Sequence, residues 1–263
     1  MAKPRISVVQ YLNTVPLIWG MLHGEQRGKF DLDFTTPARC ADAVRQGRAD
    51  VGIIPSIEYP RLDRAEIVAG VSIAAKGKVR SVLLLSNTPV EKINTVALDN
   101  SSRTSIALVT ILLREFYGRD FESFPFAPDP DAMLERADAA LVIGDPALTY
   151  QGRPATVLDL GEEWRKFTGL PFVFALWVGR AEAKLSRWRG DFTGSRDYGL
   201  AQVDEIARQH ASRYGLSPEE VKVYLTENID YTLDEENVKG LDLFYRLAHQ
   251  YGMIAAESEL RFA

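Results

Sequence analysis

The chain has 263 residues, 46% hydrophobic and 25% charged, with a formal net charge of -5. That length and balance suit one large or two small soluble domains, and the acidic excess excludes the basic face of an ordinary nucleic-acid binder. A single cysteine, Cys40, excludes an intrachain disulfide and suits a reducing cytosol.

In chain order the elements alternate. Ile6–Val9 reads as a strand, and Thr14 and Pro16 start a helix that runs to Leu22. Leu32–Thr35 is a second strand, Pro37–Gln46 a helix closed by Gly47, and Asp50–Ile54 a third strand. This βαβαβ order predicts a parallel sheet, in which ligands sit beyond the carboxyl ends of the strands. Asn13 and Ser56 lie at those ends. Ile67–Ala75 and Val79–Leu85 read as antiparallel strands joined by the turn Lys76-Gly77-Lys78.

The α/β grammar then repeats. A strand over Thr95–Leu98 leads through Ser101-Ser102-Arg103-Thr104-Ser105 into a helix over Ile106–Tyr117. Helix starts carry unpaired N–H groups and partial positive charge, so this hydroxyl-rich junction suits a carboxylate or phosphate; simple capping by Ser101 or Ser102 is the alternative. Strands follow at Phe121–Ala127 and Ala139–Ile143, with a helix over Pro130–Arg136 between them. Gly144 would admit a ligand close to the backbone, and Asp145 reads as a cap before Pro146. Thr156–Leu160 is a strand, Glu162–Phe167 a helix ended by Thr168-Gly169, and Leu170–Val178 a buried strand. The remainder is helical, over 200–214, 218–228 and 233–251, with 191–198 a loop punctuated by Gly190, Gly194 and Gly199. His23, His210 and His249 show no ligand spacing, so no metal is expected. No run approaches a membrane span, and the start lacks the apolar segment of an export signal, so a cytoplasmic location with no membrane partner is expected.

Tyr11-Leu12-Asn13-Thr14-x-Pro16, Pro55-Ser56-x-Glu58-Tyr59, Val79-x-Ser81-Val82, Ser101-Ser102-Arg103-Thr104-Ser105, Ile143-Gly144-Asp145 and Thr168-Gly169-Leu170-Pro171-Phe172 occur in that order. Together they resemble the chorismate dehydratases of the futalosine route to menaquinone, nearly end to end. The resemblance implies an α/β, two-lobe fold like the type II periplasmic binding proteins, with a cleft between the lobes. Residues 1–90 and 177–263 would form lobe I and 91–176 lobe II, with crossovers near 86–92 and 175–180. It also implies conversion of the dianion chorismate to 3-[(1-carboxyvinyl)oxy]benzoate and water, with no cofactor.

On that reading Ser101, Ser102, Arg103 and Thr104 receive one carboxylate, and Ser56 with Ser81 the other carboxylate or the ring. Asn13, the expected catalytic residue, holds the ring or the leaving hydroxyl, and Tyr11 and Leu12 flank it. Gly144 and Asp145 close over the ligand, and Phe172 is an apolar wall. Arg103 reads equally as an anion clamp and as an outward residue at the helix start. Glu58 and Asp145 make poor bases beside a dianion, so the enolpyruvyl carboxylate of the substrate is expected to take the C3 proton. Two other readings stand beside this one. A sister family, the 1,4-dihydroxy-6-naphthoate synthases, carries a histidine after the strand where this chain has Gly144-Asp145. The other is a binding protein of the same fold without catalysis.

Overall fold

The computed structural model describes residues 3–255 and 259–263. The chain opens with β1 (Arg5–Val9), α1 (Val15–His23), β2 (Asp31–Thr35), α2 (Pro37–Arg45), β3 (Val51–Pro55) and β4 (Ala65–Ala75). Its middle comprises β5 (Val82–Ser86), β6 (Thr95–Asp99), α3 (Arg103–Ile111), β7 (Glu122–Phe126), α4 (Pro130–Leu134), β8 (Ala139–Ile143), α5 (Gly144–Leu148), β9 (Thr156–Asp159) and α6 (Leu160–Thr168). Then come β10 (Phe172–Arg180), α7 (Arg189–Ala201), α8 (Val203–Tyr214), α9 (Pro218–Val223) and α10 (Glu235–Gln250). No helix among the described residues is long and apolar enough to cross a membrane.

The strands make two five-stranded sheets, ordered β2-β1-β3-β10-β4 and β7-β6-β8-β5-β9. In the first, β1 runs parallel to β2 and β3, with Ile6 opposite both Leu32 and Val51. The second repeats the scheme: β6 is parallel to β7 and β8, and Val96 lies opposite Ser123 and Ala139. Each sheet admits one antiparallel strand after a crossover, β10 beside β3 and β5 beside β8. Such a strand is covered on both faces, which explains the unbroken apolar runs Val82–Leu85 and Val173–Val178.

The crossovers fall at residues 76–81 and 169–171, earlier than expected from the sequence. Val82–Ser86 therefore belongs to the second sheet and Phe172–Arg180 to the first, so sheet membership changes before 82 and before 172 rather than after 90 and 176. Lys76-Gly77-Lys78 is accordingly no hairpin, since β4 pairs with β10 and β5 with β8 and β9. Local turn chemistry marked the reversal but not the change of sheet.

The segment expected to loop at 191–198 lies inside α7. Its glycines serve close packing: a Cβ on Gly199 would stand 2.0 Å from the Pro16 carbonyl oxygen, and one on Gly194 2.9 Å from Gln26 Nε2. Ser195 completes the contact, donating to the Leu17 carbonyl at 2.8 Å and accepting from the Met21 N–H at 3.1 Å. Helix α3 begins at Arg103, three residues before the predicted start at Ile106, and passes into a widened turn over Leu112–Phe116. Cys40 is buried, as expected of a small apolar residue, and its sulfur accepts from the Ser7 hydroxyl at 3.3 Å.

Candidate active site

The two sheets direct the carboxyl ends of β1, β3, β6 and β8 toward one another, and a cavity lies between them. From the first lobe Val9, Tyr11, Asn13, Thr14, Pro55 and Phe174 line it. The second contributes Val82, Ser102, Thr104, Ser105, Ile143 and Gly144, while Val79 and Ser81 enter from the crossover. Hydroxyls and one amide thus face each other across apolar walls.

The N-terminus of α3 is the main polar feature. Ser102 occupies the N-cap position, yet no side chain caps the helix. The first-turn N–H groups are left for a ligand, with the positive end of the helix dipole behind them. Ser101 turns away: its N–H and hydroxyl both donate to Asp99 Oδ1, at 2.9 and 2.7 Å. The Thr104 hydroxyl accepts from the Ile57 N–H at 3.1 Å, so it also ties α3 to the first lobe.

Opposite, the Ser81 hydroxyl lines the cavity and accepts from the fully buried Tyr224 hydroxyl at 2.8 Å. Asn13 sits in the 3-10 turn Leu12–Thr14 that links β1 to α1. Gly144 has φ +64, and its N–H donates to the Ser81 carbonyl at 2.7 Å. Tyr11 lies flat on it, so close that a Cβ there would be 2.8 Å from the ring. Only glycine meets both conditions.

Several residues expected in the site stand behind it. Ser56 is buried and spends its hydroxyl on the Val173 carbonyl at 2.7 Å; its neighbour Pro55 lines the cavity instead. Phe172 is no wall. It packs edge-to-face on Trp164 and Phe244, with ring centroids 5.2 and 4.9 Å away. An irregularity in β10 between Val173 and Ala175 shifts the strand's parity, and Phe174 lines the cavity. Arg103 does not line the cavity: it bridges the lobes to Glu58 at 3.0 Å and Asp42 at 3.2 Å. Glu58 is fully buried among Arg103, Arg45 and Arg61. Leu12 contributes backbone alone, its N–H donating to Asp145 Oδ1 at 3.1 Å, and neither it nor Asp145 lines the cavity.

The acid–base inventory is short. Tyr11 is the one titratable side chain among the lining residues, and burial pushes its phenol up to about 12. Burial also lifts the Asp145 carboxyl above its usual range, partly offset by the Leu12 N–H and the Tyr214 hydroxyl. No cluster of metal ligands exists among the described residues.

A model of the menaquinone biosynthesis family matches residues 4–250. The chain belongs to that family. It is 28% identical to the chorismate dehydratase of Thermus thermophilus, over 91% of this chain and 93% of that protein. It is also 31% identical to the chorismate dehydratase of Campylobacter jejuni, over 64% and 63% respectively. Protein AF1704 of Archaeoglobus fulgidus superposes with a TM-score of 0.77 at 21% identity, covering 96% of this chain and 98% of that one. The periplasmic aliphatic sulphonate binding protein SsuA of Escherichia coli follows at 0.68 and 15%, covering 98% and 95%. The fold is therefore that of the periplasmic binding proteins, as the resemblance implied.

Within this family member, sequence reasoning did not assign Phe174, Tyr224, Thr14 or Ser105 to the site. Thr14 and Ser105 were within reach, lying inside motifs already singled out. Tyr224 carried no signal, because an aromatic residue in an amphipathic helix is ordinarily core.

Proposed function

We propose that this chain is a chorismate dehydratase, a hydro-lyase that converts chorismate to 3-[(1-carboxyvinyl)oxy]benzoate and water. The observation that carries the reading is a cavity lined by hydroxyls, an amide and a helix N-terminus, in a chain of the menaquinone biosynthesis family, with no carboxylate, imidazole or amine among its lining residues. That composition suits a dianion whose reaction needs charge stabilisation more than proton exchange with the protein.

Chorismate has a ring carboxylate at C1, an enolpyruvyl ether at C3 and a hydroxyl at C4. When the C3–H bond breaks, its electron pair spreads through the ring toward the C1 carboxylate. Departure of the C4 hydroxyl then makes the ring aromatic. The free N–H groups of α3, with Ser102, are suited to hold the carboxylate that gains charge. Asn13 and the Tyr224-backed Ser81 suit the C4 hydroxyl and the ring edge, and Phe174 packs on the ring face. The enolpyruvyl carboxylate takes the C3 proton and can pass it to the departing hydroxyl, so water leaves and the atoms balance. Intramolecular transfer of this kind gains its rate from fixed geometry. Asp145 and Glu58 are both engaged outside the cavity lining, which agrees with a base supplied by the substrate.

Incubation of the purified protein with chorismate, followed by proton NMR, is expected to show a meta-substituted benzoate that keeps its vinyl ether. Unchanged chorismate would leave a binding protein of this fold. Tyr11→Phe is expected to keep turnover to within about tenfold; a loss of about 10⁴ would make the phenol the proton acceptor, at the upper end of general-base effects. Gly144-Asp145-Pro146, the turn directly after β8, holds no histidine, where the sister synthases place theirs.

A further inference from the structure

The 3-10 turn that presents Asn13 is not completed by its own lobe. Its N-cap residue, Tyr11, makes no side-chain cap, and the Leu12 N–H is bonded instead to Asp145 Oδ1, from the other lobe, at 3.1 Å. Asp145 stands in the first turn of α5, directly after Gly144, whose backbone supports the Tyr11 ring. The Tyr214 hydroxyl, at the end of α8, faces the same carboxylate. One side chain of the second lobe thus accepts from a backbone donor of the first, beside the residue expected to act on the substrate.

We propose that Asp145 is a positioning residue: its carboxylate caps the Leu12–Thr14 turn across the cleft, so that Asn13 is set for reaction only when the lobes are together. The acceptor and the donor sit on different lobes, so the bond breaks whenever the cleft opens. Turn order and closure become one event. A ligand that closes the cleft also fixes Asn13, and a molecule too large to allow closure leaves Asn13 unset. The proposal rests on the cavity being the ligand site and not on which ligand fills it.

Asp145→Asn keeps a carbonyl acceptor for the Leu12 N–H, whereas Asp145→Ala keeps none. Expected turnover with chorismate is within about tenfold of wild type for the amide and at least about 10²-fold lower for alanine, the cost of a misplaced catalytic group. Rescue by the amide separates positioning from proton abstraction, because an amide cannot act as a base. Equal, deep losses in both variants would overturn the proposal. Residue-resolved hydrogen exchange supplies a readout that general destabilisation does not imitate. The Leu12 amide is expected to exchange at least about tenfold faster in Asp145→Ala than in wild type or Asp145→Asn, while amides in the centres of β1 and β6 do not change. Measured without ligand and with 3-[(1-carboxyvinyl)oxy]benzoate added, equal Leu12 rates in wild type and Asp145→Ala under both conditions would also overturn it. A wild-type protein that leaves chorismate unchanged and shows no response to the benzoate would defeat the proposed activity alone; the ligand-free comparison then decides the role of Asp145.

Discussion

Ser81 and Ser56 are both serines at the mouth of a strand, yet one lines the cavity and the other does not. Ser56 is spent on the Val173 carbonyl at 2.7 Å, while Ser81 accepts from Tyr224 and donates only over 3.4 Å to the Val79 carbonyl, a long bond that a ligand oxygen can replace. Arg103 likewise had two readings, and the structure gives it a third, pairing with the buried Glu58 and with Asp42 across the lobes. The pH behaviour of the site belongs at this scale. Burial raises the Tyr11 phenol to about 12, so it keeps its proton throughout the neutral range and gives no alkaline arm there. Asp145, raised from the ordinary carboxylate value, is ionised above its shifted pKa and loses its charge as pH falls through it. A protonated Asp145 still offers the Leu12 N–H a carbonyl oxygen, so the rate is expected to be flat from about pH 7 to 9 and to fall on the acid side as the enolpyruvyl carboxylate of the substrate takes up a proton. A rate profile with an alkaline arm near pH 8 would point to a group outside this account.

At the scale of elements, α7 shows how a rule that works in loops fails in a packed helix. Glycine costs a helix about 1 kcal/mol relative to alanine, which is why three of them in ten residues predicted a break. The cost is offset where α7 lies against α1, because only a residue without a Cβ lets Gly199 meet the Pro16 carbonyl. Gly199→Ala, helpful in an isolated helix, is expected to destabilise the protein by about 3 kcal/mol through overpacking. Urea denaturation checks this, and an unchanged midpoint would mean that α1 can move aside. At the junction of β6 and α3 the sequence showed hydroxyls at a strand end and left capping open; in the structure no side chain caps the helix, and Ser102 and Thr104 line the cavity while Ser101 and Arg103 do not.

At the scale of the whole molecule, two of the contacts between the lobes border the cavity. Arg103 bonded to Asp42 and Glu58, with Thr104 bonded to the Ile57 N–H, makes one; Asp145 on Leu12 and Tyr11 on Gly144 make the other. Residues of both contacts line the cavity, so parting them would widen the way in for a ligand. Small-angle scattering is expected to show a smaller radius of gyration with 3-[(1-carboxyvinyl)oxy]benzoate than without it; identical curves would remove hinge opening from the account. The sequence by itself determined the alternation of strands and helices, the family and most of the motifs around the site, because periodicity, turn residues and motif order are local properties. Tertiary structure alone decided that β5 and β10 exchange sheets, that Phe174 replaces Phe172, and that Arg103 and Asp145 serve the lobe contacts. Those outcomes depend on strand parity and on partners up to 133 positions away, as Leu12 is from Asp145, and no local pattern encodes which distant group will satisfy a buried charge or an uncapped turn.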